Sequence, residues 1–241
     1  MTEGTTQRKP AKEMTKAELA RYIDHTILRP EATEDEIKQI TRDGVGFGVA
    51  SVCVNPASLD FVSPIVENTN TGMSVVCDFP FGQGTAEDKT QLAKEYCRHE
   101  GLTDLDLVIN YGMVRSGHAA QAGEELRGAV DACREAGVVS KVIIETDALS
   151  DEQIVEATEA VIASGADFVK TSTGFYTGGP TVGGSVEVMK KVMKAADGRI
   201  KVKASAHIRT REHFLALIDL GVDRIGLNCT STPKVLAGAA E

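Results

Sequence analysis

The feature of this sequence that most restricts its fold is the alternation of short apolar segments with longer amphipathic ones along the whole chain. Eight segments have the composition of β-strands: residues 22–28, 48–54, 74–77, 105–110, 140–145, 168–171, 200–205 and 224–228. Several are nearly continuous runs of Val, Ile and Leu, which is typical of parallel strands buried on both faces. Eight strand–helix units with short connections predict an α/β fold, a (β/α)8 TIM barrel.

The segments between the strands carry helix start and stop signals. Thr33 with Glu36 and Ser150 with Gln153 have the spacing of capping boxes, and glycines stand where several helices should end. The alternative is a doubly wound open sheet. No GxGxxG follows the first strand, however, and the strand number favours a closed barrel.

The chain length suits one barrel domain. The sequence of 241 residues shows no internal linker and no shift in composition. Residues 14–241 are therefore predicted to form a single catalytic domain. Residues 1–13 are polar and are predicted to be a disordered N-terminal extension. An extra N-terminal helix is expected at about residues 15–22.

Charge and cysteine usage exclude several classes of protein. A formal net charge of −9 is unfavourable for binding to nucleic acids or anionic membranes. The sequence contains no run of 18 apolar residues, so no membrane-spanning helix is expected. The five cysteines form no CxxC pair, which argues against a zinc site or a disulfide framework and fits a cytoplasmic protein. The five histidines lack the i, i+4 spacing of a helical metal site, so neither a metal nor a cofactor is expected.

Two lysines lie within predicted strands, where this residue type is rare. Lys170 and Lys203 each stand in a short apolar segment followed by small polar residues. Two lysines brought close together should each lower the pKa of the other. A neutral lysine amine at neutral pH is a nucleophile able to form a Schiff base with a carbonyl compound.

Other polar residues should lie at the same end of the barrel. The carboxyl ends of the strands form the active site in such folds. The residues predicted there are Asp24, Asp106, Asn110, Glu145, Lys170, Lys203, Ser205 and Asn228. A single buried Asp or Lys is as well explained by a structural ion pair, but buried ion pairs seldom stabilise more than apolar packing, so a cluster favours catalysis. In that interpretation Lys170 attacks a carbonyl carbon, Lys203 keeps it neutral, and Asp106 transfers protons.

Six segments, in order along the chain, resemble the deoxyribose-phosphate aldolase family. They are Ile-Asp-His-Thr from Ile23, Ser-Val-Cys-Val-Asn-Pro from Ser51, Leu-Asp-Leu-Val-Ile-Asn from Leu105, Lys-Val-Ile-Ile-Glu-Thr from Lys141, Val-Lys-Thr-Ser-Thr-Gly-Phe from Val169, and Val-Lys-Ala-Ser from Val202. The resemblance extends over about residues 20–230.

The resemblance implies a class I aldolase without a cofactor, which interconverts 2-deoxy-D-ribose 5-phosphate with acetaldehyde and glyceraldehyde 3-phosphate. It implies that Lys170 forms the Schiff base, that Lys203 assists it, that Asp106 transfers protons and that Asp24 orients Lys203. The predicted substrate-binding residues are Thr26, Cys53, Thr173, Gly174, Ser205, Ala206, His207 and Asn228. The expected partner is therefore a small aldehyde or sugar phosphate. Barrels of this kind commonly form homodimers, but the sequence leaves the oligomeric state open.

The sequence departs from the family pattern at the end where the phosphate should bind. Ala206 and His207 replace a glycine pair, and Asn228 and Cys229 replace two serines. A separate departure concerns proton transfer, because many members of the family end in a tyrosine that assists it and no tyrosine follows Tyr176 here. Two interpretations remain open. Either the residues drifted within one activity, or the enzyme is an aldolase of the same family acting on a non-phosphorylated, carboxylated or ketose substrate.

Overall fold

The computed structural model describes residues 8–240, and its centre is a closed barrel of eight parallel strands. Each strand pairs with the next one along the chain, and β8 pairs with β1. The strands are β1 Ile23–Thr26, β2 Ser51–Val54, β3 Gly72–Cys77, β4 Leu102–Val108, β5 Val139–Ile143, β6 Phe168–Lys170, β7 Lys201–Ser205 and β8 Arg224–Asn228. The prediction of a (β/α)8 barrel is confirmed.

Helices surround this barrel. They are α1 Lys16–Ala20, α2 Glu34–Phe47, α3 Leu59–Val66, α4 Ala86–Tyr96, α5 Tyr111–Arg115, α6 Ala119–Glu124, α7 Arg127–Ala136, α8 Asp151–Ser164, α9 Val186–Ala196, α10 Arg211–Leu220 and α11 Thr232–Leu236. The two predicted capping boxes begin α2 and α8. Gly137, Gly165 and Gly221 end α7, α8 and α10 in the left-handed conformation, as their positions predicted.

The two faces of each strand have opposite character. Side chains such as Val52, Leu105, Val142 and Val202 point outward into one apolar layer between the strands and the helices. The intervening residues point into the barrel, where many of them are polar or charged. Branched apolar residues usually fill such a barrel, so a charged interior indicates a function other than packing.

The N-terminal segment packs against the base of the barrel, which is the end at which the strands begin. The Arg8 guanidinium donates hydrogen bonds to the Val222 carbonyl and the Asp223 carboxylate, at 3.1 and 2.8 Å. Ala11 is fully buried, and its amide donates to Asp219 at 2.7 Å. The predicted disorder of residues 1–13 therefore does not extend over residues 8–13, because specific contacts offset their polar composition; residues 1–7 lie outside the described residues. Within residues 8–240, no helix is long and apolar enough to cross a membrane.

Candidate active site

The four predicted catalytic residues meet inside the barrel. The Lys170 and Lys203 ammonium nitrogens both lie 2.7 Å from the same oxygen of Asp106, Oδ2. Lys203 also lies 2.5 Å from Oδ2 of Asp24. All four side chains are almost completely buried. They come from β1, β4, β6 and β7, and the parallel register pairs Lys170 directly with Lys203.

Three further charged residues, which the sequence did not reveal as part of the site, complete this cluster. Lys141 Nζ lies 2.5 Å from Asp104 and 3.2 Å from Asp106. The Arg224 guanidinium lies 2.7 Å from Asp24. A signal was present, because Asp104 stands two residues before Asp106 and therefore points to the same face of β4.

Two serines and a glycine adapt the barrel to these charges. Ser51 donates a 2.7 Å hydrogen bond to Asp24, and Ser74 lies 3.5 Å from Asp106. A Cβ atom at Gly226 would lie 2.9 Å from the Ser205 hydroxyl and 3.3 Å from Cε of Lys203. Glycine on β8 therefore leaves the space that the Lys203 side chain needs.

The charges of the cluster balance only if one basic group is neutral. Three carboxylates, Asp24, Asp104 and Asp106, stand against four bases, Lys141, Lys170, Lys203 and Arg224. Burial lowers the pKa of Lys170 from its ordinary value, and the charge of Lys203 adds to this effect although Asp106 opposes it. The pKa values of the other three bases are raised: burial acts against the charged form in each, but the neighbouring carboxylates outweigh it. Lys170 is thus the base that gives up its proton most readily.

The expected lowering of the pKa of each lysine by the other does not decide the net shift of Lys203. Burial disfavours its charged form, but Asp106 and Asp24 lie on either side of it and raise its pKa above the ordinary value. Among the carboxylates of residues 8–240, Lys170 pairs with Asp106 only. The difference between the two lysines therefore arises from the number of carboxylates that each one meets.

Asp24 and Asp106 are held in the ionised form. Burial alone would raise the pKa of each carboxyl. The surrounding lysines outweigh burial in both, and Arg224 adds to this for Asp24, so both pKa values lie below the ordinary value. Asp106 is thus an anion in contact with both lysine nitrogens.

A cavity of about 240 Å³ opens over the ends of the strands beside this cluster. Six of the predicted substrate-binding residues line it: Thr26, Thr173, Gly174, Ala206, His207 and Asn228. Cys53 and Ser205 are buried below it, on β2 and β7, and Arg29 and Arg209 add basic side chains to its wall. A larger cavity of about 570 Å³ lies between β1 and α2. Of the predicted substrate-binding residues, Asn228 alone lines that cavity, so we assign the smaller one, which six of them line, to the site.

The residues that replace the glycine pair have an uncommon backbone conformation. Ala206 and His207 have φ angles of +70° and +60°, in the left-handed region that glycine occupies without cost. The Ala206 carbonyl accepts a 3.1 Å hydrogen bond from the Gly184 amide, which holds this turn against the loop before α9. The backbone thus keeps a glycine-like path without glycine.

Glu145 supports the loop that follows Lys170. Its carboxylate is buried and accepts hydrogen bonds from the Thr173 amide, at 3.3 Å, and from the Thr173 hydroxyl. Burial raises the pKa of Glu145, although the hydrogen bonds from Thr173 oppose this shift. Asn110, also expected near the site, instead caps α5, since its side chain accepts a hydrogen bond from the Met113 amide.

The described part of the chain holds no group of three or more His, Cys, Asp and Glu side chains arranged to bind a metal ion.

Comparison with known proteins agrees with this geometry. The DeoC/LacD aldolase family matches residues 19–228. The chain is 40% identical over 225 residues to the deoxyribose-phosphate aldolase of Kocuria rhizophila, covering 93% of this chain and 98% of that protein. It is 41% identical over 216 residues to that of Caldanaerobacter subterraneus, covering 89% and 91%.

A solved structure is similar over nearly the same length. The tetrameric deoxyribose phosphate aldolase from Aeropyrum pernix superposes with a TM-score of 0.82 at 30% identity, over 92% of this chain and 91% of that one. The family match and the relatives agree with the cluster of lysines and carboxylates in the barrel, and they show that this chain belongs to the DeoC/LacD family of aldolases.

Proposed function

We propose that this enzyme is a class I aldolase that reversibly cleaves 2-deoxy-D-ribose 5-phosphate to acetaldehyde and D-glyceraldehyde 3-phosphate through a Schiff base on Lys170. The activity of its relatives and the basic cavity beside Lys170 both support this substrate. The observation that carries the proposal is the charge balance of the cluster.

Lys170 is the nucleophile because it loses its proton more readily than the other basic groups of the cluster. With Lys170 neutral, three positive side chains balance three carboxylates, and the amine has a free electron pair. It attacks C1 of the open-chain sugar, and loss of water gives an imine. Asp106, 2.7 Å from Lys170 Nζ, stabilises the positive charge that develops when the imine nitrogen is protonated.

The protonated imine draws electrons from the bond between C2 and C3. A base removes the proton of the C3 hydroxyl, C3 becomes the aldehyde carbon of glyceraldehyde 3-phosphate, and C1 and C2 remain on Lys170 as an enamine. Protonation of the enamine at C2 and hydrolysis of the imine then release acetaldehyde. Asp106, acting through a water molecule, is our candidate for these proton transfers, and Lys141 and Lys203 lower its pKa and so keep it anionic.

The phosphate is placed in the 240 Å³ cavity. Ala206 and His207, two successive residues with positive φ, form a turn in its wall, and turns with such backbone conformations often present amides to an anion. A strained backbone persists only where its surroundings impose it, and such sites are often functional. Retention of this turn favours a phosphorylated substrate over the non-phosphorylated, carboxylated or ketose alternatives. Arg209 and His207 offer further donors in the same wall.

Borohydride trapping tests the proposal. Incubation with deoxyribose 5-phosphate and sodium borohydride should reduce the imine and leave one covalent adduct on Lys170, located by peptide mapping. Replacing Lys170→Arg keeps a positive charge but offers no nucleophile, so the adduct and the cleavage activity should both disappear. Lys201→Arg is the matched control, since Lys201 is an exposed lysine on the neighbouring strand.

Free deoxyribose, used in the same assay, tests the phosphate. Free deoxyribose lacks the phosphate, a charged group that makes several hydrogen bonds. Its kcat/KM should therefore be lower than that of deoxyribose 5-phosphate by about 100-fold or more. An adduct on another lysine would contradict the assignment of Lys170. Equal kcat/KM for the two sugars would instead favour the alternative substrates. The expected homodimer and the cytoplasmic location stay predictions.

A further inference from the structure

Two cysteines that are distant in sequence lie side by side between α4 and α7. Cys97 follows directly after α4, and Cys133 is in the last turn of α7. Their sulfur atoms are 3.9 Å apart, the distance of two thiols in contact. A disulfide bond is about 2.05 Å long, so the two sulfurs need to approach by roughly 2 Å. Rotation about the side-chain bonds supplies movements of this size.

The helices that carry the two thiols are tightly packed. A Cβ atom at Gly128, in the first turn of α7, would clash with the side chain of Thr90 on α4. Glycine at this position therefore allows the two helices to approach closely. The contact between Cys97 and Cys133 follows from this close approach, and the spacing of the cysteines in the sequence gave no indication of it.

The two thiols differ in a way that suits stepwise oxidation. Cys97 is partly exposed, and its hydrogen bond with Cys133 lowers its pKa from the ordinary value of a thiol. Cys133 is buried, and the same contact together with burial raises its pKa. An oxidant thus reaches Cys97 first, and Cys133 lies next to it as the second thiol.

We propose that Cys97 and Cys133 form a reversible oxidation site, in which a peroxide converts the two thiols into an intramolecular disulfide. The Cys97 thiolate attacks a peroxide oxygen, which breaks the O–O bond and, with hydrogen peroxide, gives a sulfenic acid and hydroxide. The Cys133 thiol then attacks the Cys97 sulfur, forms the S–S bond and releases water. Overall, two thiols and one hydrogen peroxide give one disulfide and two waters, and an added dithiol reverses the reaction.

The other cysteines are not placed for this reaction. Cys53 and Cys77 are buried. Cys229 is partly exposed, but its sulfur contacts the Asn228 side chain, at 3.7 Å, rather than a second thiol. Cys229 is therefore a suitable control for reactivity that depends on exposure alone.

The oxidation site lies at the opposite end of the barrel from Lys170. Cys97 precedes the first residue of β4, and Cys133 lies shortly before β5, whereas the catalytic cluster lies further along the strands. The disulfide would link α4 to α7 at the base of the barrel. It would close a covalent loop that consists of the chain between Cys97 and Cys133. Such a link should raise the temperature of unfolding of the oxidised protein.

Thiol counting on the full-length protein tests the inference. The reduced protein, alkylated with N-ethylmaleimide after unfolding, should take up five labels, one per cysteine. After treatment of the folded protein with hydrogen peroxide we expect two fewer labels and a loss of two hydrogen masses. Dithiothreitol should restore the full count, and peptide mapping should find Cys97 joined to Cys133.

Three variants separate the outcomes. Cys97→Ser and Cys133→Ser should each abolish the intramolecular bridge, whereas Cys229→Ser should form it as readily as the parent protein. Circular dichroism checks that each variant is folded before oxidation. A full thiol count after peroxide treatment, a bridge through another cysteine, or oxidation of Cys97 to a sulfinic acid with Cys133 still free would each overturn the proposal.

Discussion

A buried lysine takes its chemical role from the carboxylates that it contacts. Lys170 and Lys203 are the same residue type on adjacent strands, are paired in register and touch the same oxygen of Asp106. Lys203 contacts a second carboxylate, Asp24, whereas the described part of the chain gives Lys170 no second one. Their pKa values consequently shift in opposite directions. The proposed division of roles, with Lys170 as the nucleophile and Lys203 as its positive partner, rests on this additional contact with Asp24.

At the residue scale, we predict that Lys141 is required for the stability of the cluster. Replacing Lys141→Met removes a fully buried ammonium that contacts Asp104 and Asp106 and leaves the buried Asp104 carboxylate with Arg224, 3.9 Å away, as its nearest base. Breaking a buried ion pair in this way costs about 3–5 kcal/mol. Urea unfolding at pH 7 should show this decrease in the free energy of unfolding.

Lys191 is the matched control for Lys141. Its ammonium pairs with Asp151 at 2.5 Å, but both side chains are substantially exposed. Lys191→Met should therefore change the free energy of unfolding by about 0–1 kcal/mol. If both variants lost the same amount, the argument from burial would be wrong.

At the scale of elements, turns and helix ends decide how polar groups reach the site. The sequence predicted β4 at 105–110, whereas the strand spans Leu102–Val108. The polar residues Thr103 and Asp104 concealed its beginning, because a strand that lines a charged barrel does not look apolar. The same effect concealed Asp104, Lys141 and Arg224 as members of the site.

The turn after β7 gives a prediction about backbone strain. Ala206→Gly should remove a left-handed conformation that costs a residue with a Cβ about 1–2 kcal/mol. Glycine also gives the unfolded chain entropy worth about 0.4–1 kcal/mol. The free energy of unfolding should therefore rise by up to about 1 kcal/mol, measured by urea denaturation.

Ala163→Gly provides the comparison for Ala206→Gly. Ala163 is exposed within α8 and has a right-handed conformation, so glycine there should lower the free energy of unfolding by about 0.5–1 kcal/mol. Opposite signs for the two substitutions are the expected result. A loss of similar size at Ala206 would show that its turn is not strained.

At the scale of the whole molecule, His25 should make the stability depend on pH. Its ring is buried between β1, α2 and α11, with Nδ1 2.7 Å from the Thr232 hydroxyl. Burial lowers the pKa of His25 to about 4, although Asp43 and the Ile40 carbonyl oppose the shift. The unfolded chain, with a pKa of about 6.5, binds the proton more readily. The stability that neutral His25 contributes is therefore lost as pH falls from about 6.5 to 4.

Between pH 7 and pH 5 the free energy of unfolding should decrease by about 2 kcal/mol because of His25. The lowered pKa values of Asp24 and Asp106 contribute stability that is lost only below about pH 4, outside this range. Urea unfolding at the two pH values measures the change. His25→Asn should reduce the difference by about 2 kcal/mol, whereas His99→Gln, which replaces a surface histidine, should keep it.

The barrel, and the residues that we propose as catalytic, could be predicted from the amino-acid sequence alone. Strand and helix periodicity arise from local geometry, and the position of a residue near the carboxyl end of a strand follows from its place in that pattern. Lys170, Lys203, Asp106 and Asp24 could be named for this reason, and the structure brings all four together.

Three features of the molecule follow from its tertiary contacts instead: which lysine loses its proton more readily, which further charges join the cluster, and the meeting of two thiols at the base of the barrel. Each of these depends on distances between side chains from different strands or helices. Electrostatic interactions vary with distance and burial, so a list of residues cannot supply their sign or size. The family pattern favours glycine after β7. Ala206 and His207 nevertheless have the left-handed conformation that glycine adopts easily, because the neighbouring loop fixes the turn.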